Sequence, residues 1–273
     1  MKARVLVAAI LIPILLALAL LAPVWLLAAV MALVSGLIAF EYLRGAGLTV
    51  HKRCTAYAVI FAAGIPAWTY FGSDTRILYA SLIVLTFLVF YEAIIAYRGE
   101  SGAAFRVLAT LFAAVFVPLL FVSVLRIRLM PNGVYLVLIP FVAAYCSDTG
   151  AFFTGRALGK KKLIPYVSPN KTVAGAWGGL LGAVLGMLIY GLIVRFACLM
   201  PVSFPLLAVY GLIGGAAGQL GDLAFSLMKR EFKIKDYGNL LPGHGGMLDR
   251  VDSVIFTAPL IYCLILWLPA VGV

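Results

Sequence analysis

Residues 173–195 read VAGAWGGLLGAVLGMLIYGLIVR, a run whose single charge, Arg195, stands at its end. About 20 consecutive apolar residues are what a helix needs to cross a hydrocarbon core of about 30 Å. Runs of this kind recur from one end of the chain to the other. They place spans at about 5–22, 24–43, 54–72, 77–97, 106–125, 133–154, 173–195, 204–228 and 251–271. Composition agrees, with 64% hydrophobic and 11% charged residues, whereas soluble domains carry roughly a quarter charged residues. The expectation is an all-α, polytopic protein integral to the membrane, with about nine transmembrane helices and no stretch left for a sizeable soluble domain. No nucleic-acid partner is expected. The start, Met1-Lys2-Ala3-Arg4 followed by an apolar run, reads as the first membrane helix, because no small-residue cleavage site precedes the second run at Val24.

The net charge of +11 is unevenly spread. The N-terminal tail and the connections near 44–53, 98–106, 156–172 and 229–250 hold 17 Lys and Arg, while the opposite side holds only Arg76, Arg126, Arg128 and Arg195. Such a bias places the N-terminus and the two long basic loops, 156–172 and 229–250, in the cytoplasm. The expected location is a bacterial-type inner membrane. Residues 1–130 read as scaffold spans, and residues 131–273 as the region that carries the chemistry.

Within the scaffold, Glu41 and Glu92 lie near Arg44 and Arg98 and read as structural or interfacial side chains, with a contribution to a polar cavity as the alternative. His51, beside Lys52 and Arg53, reads as interfacial too. The cysteines (Cys54, Cys146, Cys198, Cys263) lack metal-ligand spacing and read as packed or lipid-facing.

From residue 140 onward the character changes. Span six ends in Cys146-Ser147-Asp148-Thr149-Gly150, span seven carries Gly175, Gly178, Gly179, Gly182 and Gly186, and span eight combines glycines with Gln219 and Asp222. Small residues at three- and four-residue spacing let helices pack closely, which accounts for the glycines. It does not account for Asp148 and Asp222. A carboxylate within a span costs several kcal/mol and calls for a cavity, a cation or a partner. Gly214, Gly218, Asp222, Ser226 and Arg230 follow at four-residue steps and so form one helical stripe, small at one end and basic at the other.

Residues 226–252 concentrate the remaining polarity. Lys229, Arg230, Lys233 and Lys235 precede the turn Pro242-Gly243-His244-Gly245-Gly246, and Asp236, Asp249 and Asp252 bracket it. Glycines let a backbone approach a ligand and aim N–H groups at anionic oxygens. Cations neutralise phosphates, and isolated carboxylates with substrate phosphates suit Mg²⁺. Together they point to metal-assisted phosphoryl-type chemistry on an anionic substrate.

Here a resemblance becomes specific. Ser226-x-Met228-Lys229-Arg230, then Lys235-Asp236, then Pro242-Gly243-His244-Gly245-Gly246-x-x-Asp249-Arg250-x-Asp252 resembles the signature of the phosphatidate cytidylyltransferase (CDP-diacylglycerol synthase) family. Ser147-Asp148-Thr149-Gly150-Ala151-Phe152 with Gly155-Arg156, and Ser168-Pro169-Asn170-Lys171-Thr172, are similar to that family as well. The likeness covers the C-terminal half; the first five spans match in hydrophobic character only. Ala174 departs from an acidic or amide residue usual after the Lys-Thr pair, so no polar role is expected there.

The resemblance implies transfer of CMP from CTP to phosphatidate, giving CDP-diacylglycerol and diphosphate, in a nucleotidyltransferase of phospholipid biosynthesis. It also implies a divalent cation, Mg²⁺, leaves a second cation open, and implies a homodimer. On that footing Asp222, Asp249 and Asp148 are the expected metal ligands. Asp222, Asp249, Lys229, Arg230 and His244 are the expected catalytic set. Lys171, Ser168, Asn170, Ser226, Lys235, Gly245, Gly246 and Arg250 are the expected substrate contacts. His244 has three open roles: general base, phosphate donor or organiser of the turn. A phosphate nucleophile is already ionised, which favours the latter two. A transporter is the rival class, but the polar groups cluster toward one face and no inverted repeat is visible. A CTP-using lipid kinase has overlapping needs, and the DGxxAR pattern of CDP-alcohol phosphatidyltransferases is absent.

Overall fold

A computed structural model describes residues 13–99, 101–239 and 245–272. Eight long helices account for most of them: α1 (Val24–Gly45), α2 (Lys52–Tyr70), α3 (Thr75–Ile95), α4 (Ala103–Leu129), α5 (Gly133–Leu158), α6 (Val173–Ala197), α7 (Phe204–Glu231) and α8 (Leu248–Trp267). The sheet among the described residues is one antiparallel hairpin, β1 (Lys162–Ile164) with β2 (Ser168–Thr172), pairing Lys162 with Thr172 and Ile164 with Ser168.

Among the described residues seven helices, all but α2, are long and apolar enough to cross a membrane. The sequence led us to expect nine. Of the two others, the span at 5–22 lies outside the described residues over 5–12, and its remainder shows helix over 13–20. The span at 54–72 is present as helix α2, but Lys52, Arg53, Thr55, Tyr57 and Thr69 dilute its hydropathy. The all-α, multi-pass architecture therefore stands. Large apolar side chains such as Phe87, Ile94, Trp177 and Phe196 face outward. Lipid solvates such a surface, whereas water would drive it to aggregate.

Packing divides the chain into two compact units, residues 1–125 with 232–250, and residues 126–231 with 251–273. In the first, α1 packs on α2, and Ile38 and Ala39 of the one and Ala58, Ala62 and Ile65 of the other are fully or almost fully buried. Tyr42 of α1 lies 5.2 Å from the Phe112 ring of α4, 5.4 Å from Phe232 and 6.1 Å from Tyr237. The loop that follows α7 is thereby held on α1 by aromatic contact. Helix α4 loosens into a π-turn at Phe112–Phe116. Pro118 explains it: the ring lacks an N–H and crowds the carbonyl four residues back, which widens the turn before it.

In the second unit, α5 and α6 pack backbone to backbone. Glycine is what permits this, since a Cβ at Gly182 would lie 2.6 Å from the Cys146 carbonyl and 3.0 Å from the Gly150 Cα. Polar side chains then lock α7 and α8 onto the pair. Gln219 Nε2 donates to Ser147 Oγ (3.2 Å) and to the Ala176 carbonyl (3.0 Å), tying α7 to both α5 and α6. Thr257 Oγ1 of α8 donates to the Gly214 carbonyl at 3.1 Å. The glycine stripes thus serve close packing, as expected. Gly182→Ala should cost about 1–3 kcal/mol by overpacking against backbone that cannot yield. A lowered thermal transition of the detergent-solubilised protein would register that cost; an unchanged one would mean that α5 and α6 separate freely.

Candidate active site

Hairpin β1–β2 hands the chain to α6 through Thr172, whose Oγ1 accepts the Gly175 N–H at 3.0 Å as an N-cap. The cap fixes where the hairpin ends, and with it the residue just before, Lys171. Its ammonium forms an ion pair with Asp222 of α7. Both side chains are about a quarter exposed, 27% and 28%, so the pair borders a cavity instead of being sealed in the packing. That cavity, of about 540 Å³, is also lined by Asp148 and Arg156 of α5, Asn170 of β2 and Gln219 of α7.

Behind it stands a second layer of carboxylate chemistry. Ser253 Oγ of α8 donates toward Asp148 Oδ2 at 3.5 Å, while its backbone N–H donates to Asp252 Oδ1 at 2.7 Å. Asp148 and Asp252 each lie within electrostatic reach of Asp222, as do Lys171 of Asp148 and Lys229 of Asp252. Arg230 Nε donates to the Val167 carbonyl at 3.1 Å and so pins the hairpin tip to the end of α7. Three carboxylates and two lysines from four separate segments therefore share one unit of an otherwise apolar fold.

Of the residues singled out in the sequence, Asp148, Asp222, Lys171 and Asn170 meet at the cavity. Ser168, Ser226, Lys229 and Arg230 belong to the same unit. Lys235, Gly245, Gly246, Asp249 and Arg250 belong to the other. His244 lies outside the described residues. Asp252 was read as one of the acids bracketing the turn but not as a site residue. Its place in the cluster follows from the Ser253 N–H that it accepts and from its nearness to Asp222 and Asp148. Gln219 was noted only as a polar residue in a span; the structure makes it both a cavity wall and an interhelical tie.

Among the described residues no three His, Cys, Asp or Glu side chains converge on a metal-binding group. The cavity instead offers two carboxylates, Asp148 and Asp222. That donor set suits Mg²⁺, which commonly takes one or two carboxylates and completes its shell with water and substrate phosphates.

The first unit shows what holds the residues that lead into α8. Glu41 of α1, buried, accepts the Met247 N–H through Oε1 at 3.0 Å and the Leu248 N–H through Oε2 at 2.8 Å, capping α8 from a distant part of the chain. Of the readings of Glu41, the structural one holds and the interfacial one is overturned, because a buried carboxylate here satisfies orphan helix donors. Asp249 Oδ2 accepts the Tyr237 N–H at 2.8 Å and the Gly246 N–H at 3.0 Å, drawing the two ends of the loop together. Gly245 sits at φ 80°, the left-handed region that favours glycine.

Fold and site together define a multi-pass, all-α membrane protein with carboxylates and cations gathered on a cavity between its spans. The chain matches the cytidylyltransferase family over residues 2–268, and it belongs to that family. It is 38% identical over 189 residues to a phosphatidate cytidylyltransferase of Bacillus subtilis, covering 69% of this chain and 66% of the relative. It is also 38% identical over 192 residues to one of Staphylococcus aureus (68% of each) and 45% identical over 132 residues to one of Brucella suis (48% and 47%). The chain spans between about half and two thirds of the length of the relatives it matches.

Removing Glu41 should unsettle the loop before it harms the helices. Glu41→Ala leaves two N–H groups of α8 unpaired at about 1–3 kcal/mol, and limited proteolysis should cut residues 232–250 faster. Glu41→Gln, which keeps an acceptor, should restore part of the protection. Equal cutting of all three proteins would show that the contact does not hold the loop.

Proposed function

We propose that this protein is a phosphatidate cytidylyltransferase, transferring the cytidylyl group of CTP to phosphatidate and releasing diphosphate. The observation that carries the proposal is the Lys171–Asp222 ion pair on the wall of a cavity that also holds Asp148. A carboxylate held within a membrane span is a functional-site candidate, and here two of them, Asp148 and Asp222, meet a lysine delivered by the hairpin. Family membership and the names of the relatives support the same reading.

The reaction needs no enzyme nucleophile. A phosphate oxygen of phosphatidate attacks the α-phosphorus of CTP in line, the new P–O bond forms, and the bond to the departing diphosphate breaks. The protein's task is to hold mutually repelling anions in that alignment. Lys171, already delivered to the cavity by the hairpin, contacts a phosphate oxygen. Arg156, on the same cavity, offers a guanidinium fork that suits phosphate. Asn170 and Gln219 supply neutral hydrogen-bonding groups that orient the reactants. Asp148 and Asp222 would hold Mg²⁺, whose chemistry when bound is to neutralise the oxygens that crowd the α-phosphorus. Ser253 and Asp252 position Asp148 and set the charge around it. The Lys171–Asp222 pair then serves as the resting arrangement, each partner satisfying the other until substrate separates them.

The 17-to-4 distribution of basic residues supports a cytoplasmic opening for the cavity, the side on which a soluble nucleotide is available. Bacterial relatives support a bacterial membrane as the location.

Purified protein supplied with labelled CTP, phosphatidate and Mg²⁺ should form CDP-diacylglycerol with one diphosphate per turnover. Transfer of the γ-phosphate would instead indicate a lipid kinase. Lys171→Ala and Asp222→Asn should each lower kcat on the order of 10²–10³, the loss seen when one charge-stabilising group is removed. Asp148→Asn should raise the Mg²⁺ concentration needed for half-maximal rate. Activity near that of the unmodified protein in all three variants would remove the cavity from the mechanism.

A further inference from the structure

A second cavity lies in the first unit, where α1 gives way to α2. It measures about 290 Å³, and His51, Lys52, Arg53, Glu92 and Arg106 reach it. Arg106, from the first turns of α4, donates through Nη1 to His51 Nε2 at 3.0 Å. Burial and the Arg106 charge push the His51 pKa below its ordinary value, so the imidazole is a neutral acceptor. Arg53 Nη1 lies 3.3 Å from Glu92 Oε1, and Tyr57 Oη donates to the same oxygen at 3.4 Å. Three permanent cations thus face one carboxylate, and that carboxylate is committed to Arg53 and Tyr57. The cavity carries a positive surplus that its own residues do not neutralise.

The adjoining face of the same helix ends is apolar. A groove of about 400 Å³ runs between the end of α3, at Ala93, Ile94 and Tyr97, and the start of α4, at Ala104, Val107 and Leu108. Neighbouring residues divide between the two hollows. Glu92 and Ala96 turn to the charged one while Ala93 and Tyr97 turn to the groove, and Arg106 and Val107 divide likewise. Arg106 is drawn onto a histidine, while the exposed Arg53 reaches a largely buried glutamate and Lys52 stands open to solvent, all beside a slot of hydrocarbon character.

We propose that this pair of hollows is a binding site for an anionic glycerophospholipid, its phosphate in the cationic cavity and an acyl chain along the groove. A free phosphate would fill the first hollow and leave the second bare. A zwitterionic lipid would bring its own cation against Lys52, Arg53 and Arg106. The site uses none of the residues assigned to cytidylyl transfer, and it stands whether or not that assignment does.

Native mass spectrometry of the delipidated full-length protein tests it, with phosphatidylglycerol and phosphatidylcholine as probes. The unmodified protein should retain phosphatidylglycerol in preference to phosphatidylcholine. Each cation removed should weaken retention about fivefold, and Arg53→Gln with Arg106→Gln roughly thirtyfold, the effect of single basic groups at a membrane surface. Ala104→Trp, which fills the groove and keeps every cation, should weaken it as well. Equal retention of the two lipids, undiminished phosphatidylglycerol binding in the double variant, or displacement of the lipid by excess inorganic phosphate would each overturn the proposal. If the double variant fails to fold, Lys52→Gln, at an exposed position, takes its place, and unchanged affinity there is equally fatal.

Discussion

The Lys171–Asp222 ion pair is the interaction around which the second unit is built. Asp222 lies on α7, a helix apolar enough to cross a bilayer, and a carboxylate there must find a counter-charge. The counter-charge does not come from a neighbouring span. It comes from a hairpin between α5 and α6, short enough that Lys171 stands immediately before the residue that caps α6. The hairpin can reach α7 only if α5 and α6, from which it springs, lie close to each other and to α7. Glycine contacts between α5 and α6, and the Gln219 bonds that join α7 to both, meet that condition. Helix packing and electrostatics are therefore one problem here. A bulky residue in the glycine stripe would move the lysine as surely as it would move the helix.

The same logic separates the two kinds of carboxylate in this chain. Asp148 and Asp222 face a cavity, where their charge is available to ligands. Glu41 and Asp249 spend theirs on backbone N–H groups, one pair at the start of α8 and one pair across the loop that precedes it. A carboxylate that accepts two backbone donors is well satisfied and conformationally fixed. Asp249, another expected metal ligand, accepts the Tyr237 and Gly246 N–H groups through Oδ2, while the proposed mechanism draws on Asp148 and Asp222 at the cavity.

Much of this was legible in the sequence because hydrocarbon is an unforgiving solvent. The lengths of the apolar runs announced a multi-pass helical protein, and the expense of Asp148 and Asp222 marked them out before any contact was known. Lys171 was reached through its motif. Less legible were facts that depend on partners far apart in the chain. Glu41 and Met247 are separated by 206 positions, and nothing near Glu41 distinguishes a helix cap from an interfacial acid. Helix α2 was legible as a helix, whereas the polar groups it brings to the other helices, Arg53 and Tyr57 toward Glu92 among them, were not.

The polar segment 226–252 looked like one element and is in fact divided. Ser226, Lys229 and Arg230 finish α7 in the second unit, residues 232–250 pack with the first, and Asp252 returns to the second. A motif continuous in sequence thus leaves one packing unit, is tied to the other by Tyr42 and Glu41, and comes back along α8. Asp249 holds Tyr237 and Gly246 together, and Gly245 beside them takes the left-handed conformation. The carboxylate that returns, Asp252, is fixed to Ser253, and Ser253 in turn reaches Asp148. The signature has to be long because it specifies a path as well as a set of reactive groups.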